Sequence, residues 1–377
     1  PTYEAQINQF DKRTTIGGRY DKSLIADGNF ELDWGVELRH DDIGPVGLDA
    51  YDAGSFVQNI SDNDIVETSY GVYTEAMWRP TASLRVLAGL RGDYYDFEAT
   101  ANQPGTVSPD SPGTIVGSET DSLVSPKLTL AYTVNEHLEF YGNWGKGFHS
   151  NDARGVVNPV DPVPGLSVGE GHEVGARIEV GNVKLTATQW WLDQESELIF
   201  VGDSNSVEPK GASERDGYEL TLFWQPTEWL GLDAVYVESD ARFVDNPDGP
   251  FVENAVERAA QLGVSAVRNH WEASMRLRYL GPYAMTADNA QRAESNTTLN
   301  VRGAYNFDQV TLYAEVINLL DADDKDIVYW YEAFVEGYDD VVNGAASIDD
   351  IDCDVLNCRM SRASEPRTLR FGVKYRF

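Results

Sequence analysis

RTLRFGVKYRF, residues 367–377, puts Leu369, Phe371, Val373, Tyr375 and Phe377 on one face and Thr368, Arg370, Lys374 and Arg376 on the other. Side chains of a strand alternate between its two faces, so this is a β-strand with one apolar face. Chain ends fray unless they are tied into a sheet, so a terminus this regular is expected to be paired. Two architectures use such a strand. An edge strand of a soluble sandwich buries the apolar face, and a transmembrane barrel turns it toward lipid.

Composition separates these only in part. The 377 residues carry a formal net charge of −33, which excludes nucleic acid as a partner because a phosphate backbone needs a basic footprint. Mean hydropathy is −0.39, and no apolar run of 18 residues occurs, so the chain is not a helical membrane protein. Transmembrane β-strands leave mean hydropathy low, and membrane insertion stays open. Pro1 is preceded by no charged and apolar leader, so the chain is expected either to be cytoplasmic or to have lost a segment. Cys353 and Cys358, the only cysteines, lie in one acidic stretch and suit a local disulfide in an oxidising compartment better than a metal site.

Moving outward from the last strand, the period of two recurs along the whole chain. FELDWGVEL places Phe30, Leu32, Trp34, Val36 and Leu38 on one face, and SYGVYTEAMW sets Tyr70, Val72, Ala76 and Trp78 against Tyr73 and Glu75. In WEASMRLRYL, Trp271, Ala273, Met275, Leu277 and Tyr279 alternate with Glu272, Ser274, Arg276 and Arg278. A soluble core does not tolerate that arginine-bearing face, but a water-filled lumen does. Short turns are expected near Asp27, Pro80, Asn135, Gly181, Pro226, Asn269 and Asp308. Long connections rich in Gly, Pro, Asp and Asn are expected at 44–64, 98–120, 149–168, 201–212, 243–254, 284–294 and 320–364. About fifteen strands follow, in an antiparallel up-and-down transmembrane β-barrel with short turns on one side of a membrane and long loops on the other. The count is odd, whereas a bacterial single-chain barrel needs an even one, so strands are expected before Pro1.

LVSPKLTLAY, LEFYGNWGKGFHSNDARG, AEVINLLDADDKD and EPRTLRFGVKYRF together resemble the C-terminal part of a TonB-dependent outer-membrane receptor. Asn318, Leu319, Leu320 and Asp321 match the family's pattern ahead of its last long loop, and the row Phe371, Tyr375, Phe377 resembles the terminal strand read by the barrel assembly machinery. The resemblance implies a 22-strand barrel of the Gram-negative outer membrane, with the strands here running from about the eighth to the last. The plug domain, its TonB-binding box and about seven strands would then lie upstream. It implies contact with outer-membrane lipid, with the TonB complex through the plug, and with a scarce solute such as a ferric siderophore or another small molecule or metal chelate. A passive porin-type channel and a secreted all-β carbohydrate-binding protein are the alternatives.

Candidate site residues fall in the long connections. His149, Asn151, Asp152 and Arg154 concentrate polar groups where one loop leaves its strand, as ligand contacts or as loop anchors. Tyr329, Trp330, Tyr331, Phe334 and Tyr338 supply contact aromatics in the last loop, or pack it as a folded lid stapled by the cysteines. Residues 321–364 hold twelve acidic and three basic groups, which disfavours a strongly anionic ligand at the mouth. Asp349, Asp350, Asp352 and Asp354 are hard-cation donors, but their spacing lacks an EF-hand's glycine and final glutamate, so loop-bound calcium is a minor expectation and no cofactor is the main one. Inward rows such as Arg85, Arg91, Glu173, Arg177, Glu219, Arg302 and Arg370 read as lumen-solvating groups. Nothing resembles a nucleophile elbow, so the chain is not expected to be an enzyme.

Overall fold

The computed structural model describes residues 6–52, 54–102, 116–159, 162–201, 206–330 and 359–377. In chain order the elements are β1 (Gln6–Asp27), β2 (Phe30–Asp52), β3 (Ser55–Trp78), β4 (Leu84–Ala101), β5 (Val116–Asn135), β6 (Leu138–Ser150) and the single-turn helix α1 (Ala153–Val156). There follow β7 (Leu166–Val180), β8 (Val183–Gln194), β9 (Leu198–Val201), β10 (Ser206–Pro209), β11 (Ser213–Thr227), β12 (Leu230–Phe243), β13 (Arg258–Arg268) and β14 (Trp271–Leu280). The last are β15 (Tyr283–Ala284), β16 (Arg292–Ala293), β17 (Asn296–Asn306), β18 (Val310–Ile317), β19 (Lys325–Trp330), β20 (Arg359–Ala363) and β21 (Thr368–Tyr375).

Fifteen of these strands form one antiparallel sheet in which each pairs with the next along the chain, and the pairs β9–β10, β15–β16 and β19–β20 are small hairpins inserted in connections. β1 and β21 do not pair with each other, so the barrel is not closed. All seven expected short turns fall between strands of this sheet.

Register carries the alternation from strand to strand. Val72 lies opposite Val36 and Gly92, Leu130 opposite Val86 and Gly142, Leu220 opposite Ala187 and Tyr236, and Met275 opposite Val264 and Val301. These rows make one continuous apolar face. Phe371 is 74% exposed on it and Leu130 47%, although leaving such a side chain in water costs about 1.5–3 kcal/mol. The face therefore requires a nonaqueous surrounding. On β3 it runs from Trp78 to Tyr70, nine residues whose eight steps span about 26 Å of strand at about 3.3 Å per step, which fits the apolar band of a membrane barrel.

Beyond Tyr70 the strands continue, and the expectation of a long connection at 44–64 is corrected. β2 and β3 pair as far as Asp52 and Ser55, with register shifts between Ile43 and Val46, between Leu48 and Asp49 and between Ala50 and Tyr51, and Gly54 turns the chain with φ of 81°. Outside the apolar band no lipid-facing row is imposed on the strands, so the ladder persists with no regular apolar alternation to reveal it.

The buried core sits at this extended end, on the polar face. Ile43, Ile65, Phe97 and Ala99 of β2, β3 and β4 pack with Ala153, Val156, Val157, Val163 and Leu166. The β6–β7 connection thus folds back against the sheet.

Candidate functional site

Below that core, the polar face is a wall of compensated charge. The Arg91 guanidinium meets Asp93 at 2.7 Å and Glu37 at 3.0 Å, and Arg85 and Arg177 converge on Glu139 at 3.4 and 3.1 Å. Arg276 pairs with Asp233 at 2.8 Å, Arg278 with Asp326 and Arg302 with Glu272 at 3.7 Å, and Arg370 with Glu365 at 2.5 Å. Glu173 accepts a hydrogen bond from Asn143, and Glu219 one from Thr221. Half-exposed pairs of this kind contribute less than about 1 kcal/mol each. Their consequence is electrostatic: the arginine rows read as lumen-solvating groups have acidic partners.

Tyr73 crosses this wall between two guanidiniums, Arg19 at 5.2 Å and Arg91 at 5.8 Å from its ring centre. It lies flat because Gly35 on the next strand has no side chain, and a Cβ there would strike the tyrosine hydroxyl. Around it a cavity of about 610 Å³ is lined by Arg19, Lys22, Tyr73, Glu75, Arg91 and Lys127.

Three of the four predicted residues at the end of β6 are brought together as anchors of the folded-back connection. Asn151 is buried, its backbone N–H donating to Gly165 O at 2.9 Å and its side-chain amide to Pro164 O at 2.6 Å. Asp152 caps α1 by accepting the Arg154 backbone N–H at 2.9 Å, and also holds the Arg154 guanidinium at 2.7 Å. His149 is not with them. It is exposed and points away from the face that carries Phe148 and Ser150.

Sequence reasoning missed Glu67. It lies three residues past Tyr70, outside the apolar band, and shares a polar cavity with Arg13, Arg39, Asp41, Tyr95 and Asp152. Burial, and then the carboxylates of Asp152 and Asp41, push the Glu67 carboxyl up to about 7. No local signal marks it, because its neighbours come from four other segments.

In the last connection, Tyr329 and Trp330 sit on β19 opposite Met360 and Arg359. Trp330 packs with Tyr283 against Met285, Ala293 and Val328, and the Tyr283 hydroxyl donates to Val328 O at 2.6 Å, while Tyr329 is exposed. Tyr331, Phe334, Tyr338, Cys353, Cys358 and the aspartates at 349–354 lie outside the described residues. Among the described residues no cluster of His, Cys, Asp or Glu is arranged to hold a metal ion. Phe371, Tyr375 and Phe377 form one outward row, with the last two rings edge-on at 5.1 Å.

The family described as TonB dependent receptor-like, beta-barrel, matches residues 2–319. The chain belongs to the TonB-dependent receptor family. Its fold is similar to that of the ferric yersiniabactin uptake receptor FyuA from Yersinia pestis, with a TM-score of 0.78 at 15% identity, covering 100% of this chain and 56% of that one. The copper transporter OprC gives 0.72 at 17% identity over 99% of this chain and 57% of its own. The unliganded ferric citrate transporter FecA gives 0.72 at 15% over 98% and 55%. The chain thus spans little more than half the length of these structures. No curated protein matches it by sequence. TonB-dependent receptors are transporters rather than enzymes, and their barrels sit in the Gram-negative outer membrane. In that setting the apolar face meets lipid, the polar face lines the lumen, and the long connections lie on the extracellular side.

Proposed function

We propose that this receptor barrel imports a scarce solute, a metal chelate or another small nutrient, across the outer membrane under TonB control. The observation that supports this reading is an open sheet of fifteen sequential strands from a family whose solved members are nearly twice as long. The missing closure is supplied, on this reading, by further strands and a plug preceding the described sheet, with the plug coupling to TonB. The acidic excess of residues 321–364 and the paired arginines of the lumen both favour a neutral or cationic solute over a polyanion.

Uptake by cells carrying the full-length receptor tests this directly. Accumulation of a labelled metal chelate is expected only with an intact TonB system and a proton-motive force. Passive, energy-independent conductance of small ions would favour the porin-type reading. High-affinity binding of a strongly anionic ferric catecholate would overturn the charge preference while leaving the importer standing.

A further inference from the structure

The cavity that holds Glu67, about 290 Å³, is a joint between the lumen wall and the β6–β7 connection. The wall contributes Arg13 from β1, Arg39 and Asp41 from β2, Glu67 from β3 and Tyr95 from β4, and the connection contributes Asn151 and Asp152, with Arg154 two residues on and paired to Asp152. We propose that residues 151–159 and 162–165 form a proton-controlled latch, seated on the lumen wall while Glu67 carries a proton and loosened when Glu67 ionises.

The seat has an apolar half and a polar half. Val156, Val157 and Val163 cover Ile43, Ile65 and Phe97, and Phe97 is completely buried. That contact does not respond to pH. The polar half does, because its cations are already committed. Arg39 donates to Asp41 at 2.6 Å, Thr15 donates to the same carboxylate at 2.6 Å, and Arg154 holds Asp152 at 2.7 Å. Arg13 stands 4.0 Å from Asp41 and also faces Glu67. Glu67 is thus enclosed between two ionised carboxylates, one on the wall and one on the connection, with the Ala153 backbone N–H directed at it. Protonated, it bridges wall and connection without charge. Ionised, it is a buried charge that also repels Asp152, and both costs are relieved by the connection moving away and admitting water.

The sign follows from linkage. Glu67 binds its proton more tightly with the connection seated, about 7 against an ordinary 4.5, so seating is unaffected below about 4.5 and weakens as pH rises toward 7. A shift of this size corresponds to a loss in the seating equilibrium of up to about a hundredfold. Release would uncover Phe97, Ile65 and Ile43 to the lumen and widen its extracellular half.

Hydrogen exchange on the full-length receptor in detergent tests the latch. The backbone N–H groups of Val156, Val157 and Val163 donate within the folded connection, to Asp152, Ala153 and Gly155. After correction for intrinsic rates, and against β5–β6 amides as reference, their protection is expected to fall at least about tenfold between pH 5.5 and 8, levelling off near 7. Glu67→Gln is expected to keep the protection high throughout, and His149→Gln to leave the wild-type transition in place. A flat wild-type profile, a transition that survives in Glu67→Gln, or one lost in His149→Gln would each overturn the proposal. If Glu67→Gln fails to assemble, the wild-type and His149→Gln profiles decide it on the same terms.

Discussion

The side-chain amide of Asn318 donates to the Glu365 carbonyl at 3.1 Å, joining the residue that follows β18 to the stretch that enters β21. The same amide donates to Ala322 O at 3.0 Å, and its oxygen accepts the Ala322 N–H at 3.1 Å. Asn318 is 1% exposed and adopts a φ of 50°, a left-handed conformation that asparagine tolerates better than most residues. Both ends of the longest connection are therefore gathered at one buried side chain. Arg367 and Asp321 close the same base with an ion pair, and that guanidinium holds the Asp321 carboxyl below its ordinary range.

Asn318→Ala removes all three side-chain hydrogen bonds and leaves two carbonyls and one N–H without partners in a closed site. The expected cost is about 2–4 kcal/mol, since each buried group left unsatisfied costs on the order of 1–3 kcal/mol and losses within one network overlap. It should appear as a lowered urea midpoint in detergent and as faster proteolysis in the β19–β20 hairpin. A variant with wild-type midpoint and cleavage rate would show that the clip is dispensable.

What the sequence disclosed and what it hid divide along one physical line. Trp271, Met275 and Tyr279 against Glu272 and Arg276 could be read directly, because one lipid face and one water face impose a period of two. The Asn318–Asp321 pattern could be seen but not interpreted, since the Glu365 partner lies 47 residues away. Ala153, Val156 and Val163 looked like ordinary loop residues because the surfaces they cover belong to β2, β3 and β4. Glu67 was invisible for the same reason, and the continuation of β2 past Ile43 was hidden because no lipid face imposes a period of two on it.

Gly35 and Tyr73 form a size-matched pair. A methyl group on Gly35 collides with the tyrosine hydroxyl and must push the ring from between Arg19 and Arg91. Gly35→Ala is expected to cost about 1–3 kcal/mol in unfolding free energy. The same change in a Tyr73→Ala background should cost less, because only the movable Asp21 carboxylate is left in the way. Additive single and double mutants in this cycle would refute the contact as the source of the loss.

Neighbours on β5 separate the two faces. Leu130 lies in the apolar row between Val86 and Gly142, whereas Thr129 faces the opposite way toward Leu87 and Asn143 positions on the polar wall. Leu130→Arg is expected to destabilise the barrel in lipid by about 2–4 kcal/mol, and Thr129→Arg by much less. Heat-modifiability on gels and refolding into vesicles read both. A soluble sandwich with its core on the Leu130 face would also lose stability at Leu130, but it would refold without lipid or detergent, so vesicle dependence is the deciding arm.

Asp152 gives the latch a second, opposite limb. Burial pushes its carboxyl up, but the Arg154 guanidinium and backbone N–H outweigh burial and hold it below the usual carboxylate range. A carboxyl depressed in the seated state contributes above its ordinary value of 3.8 and loses that contribution only as pH falls below it. Seating is therefore expected to be strongest between roughly pH 4 and 4.5, bounded by Asp152 on the acid side and by the loss that Glu67 brings as pH rises from 4.5 toward 7. Asp152→Asn keeps an oxygen to cap α1 but removes a charge that raises Glu67, so the levelling-off near 7 should move to lower pH while the acid limb flattens. Asp152→Ala loses the cap as well, at a cost of about 0.5–2 kcal/mol, and should lower protection of the Val156 and Val157 amides at every pH. An Asp152→Asn profile that levels off at the wild-type pH would mean that the repulsion between Asp152 and Glu67 does not contribute to the latch.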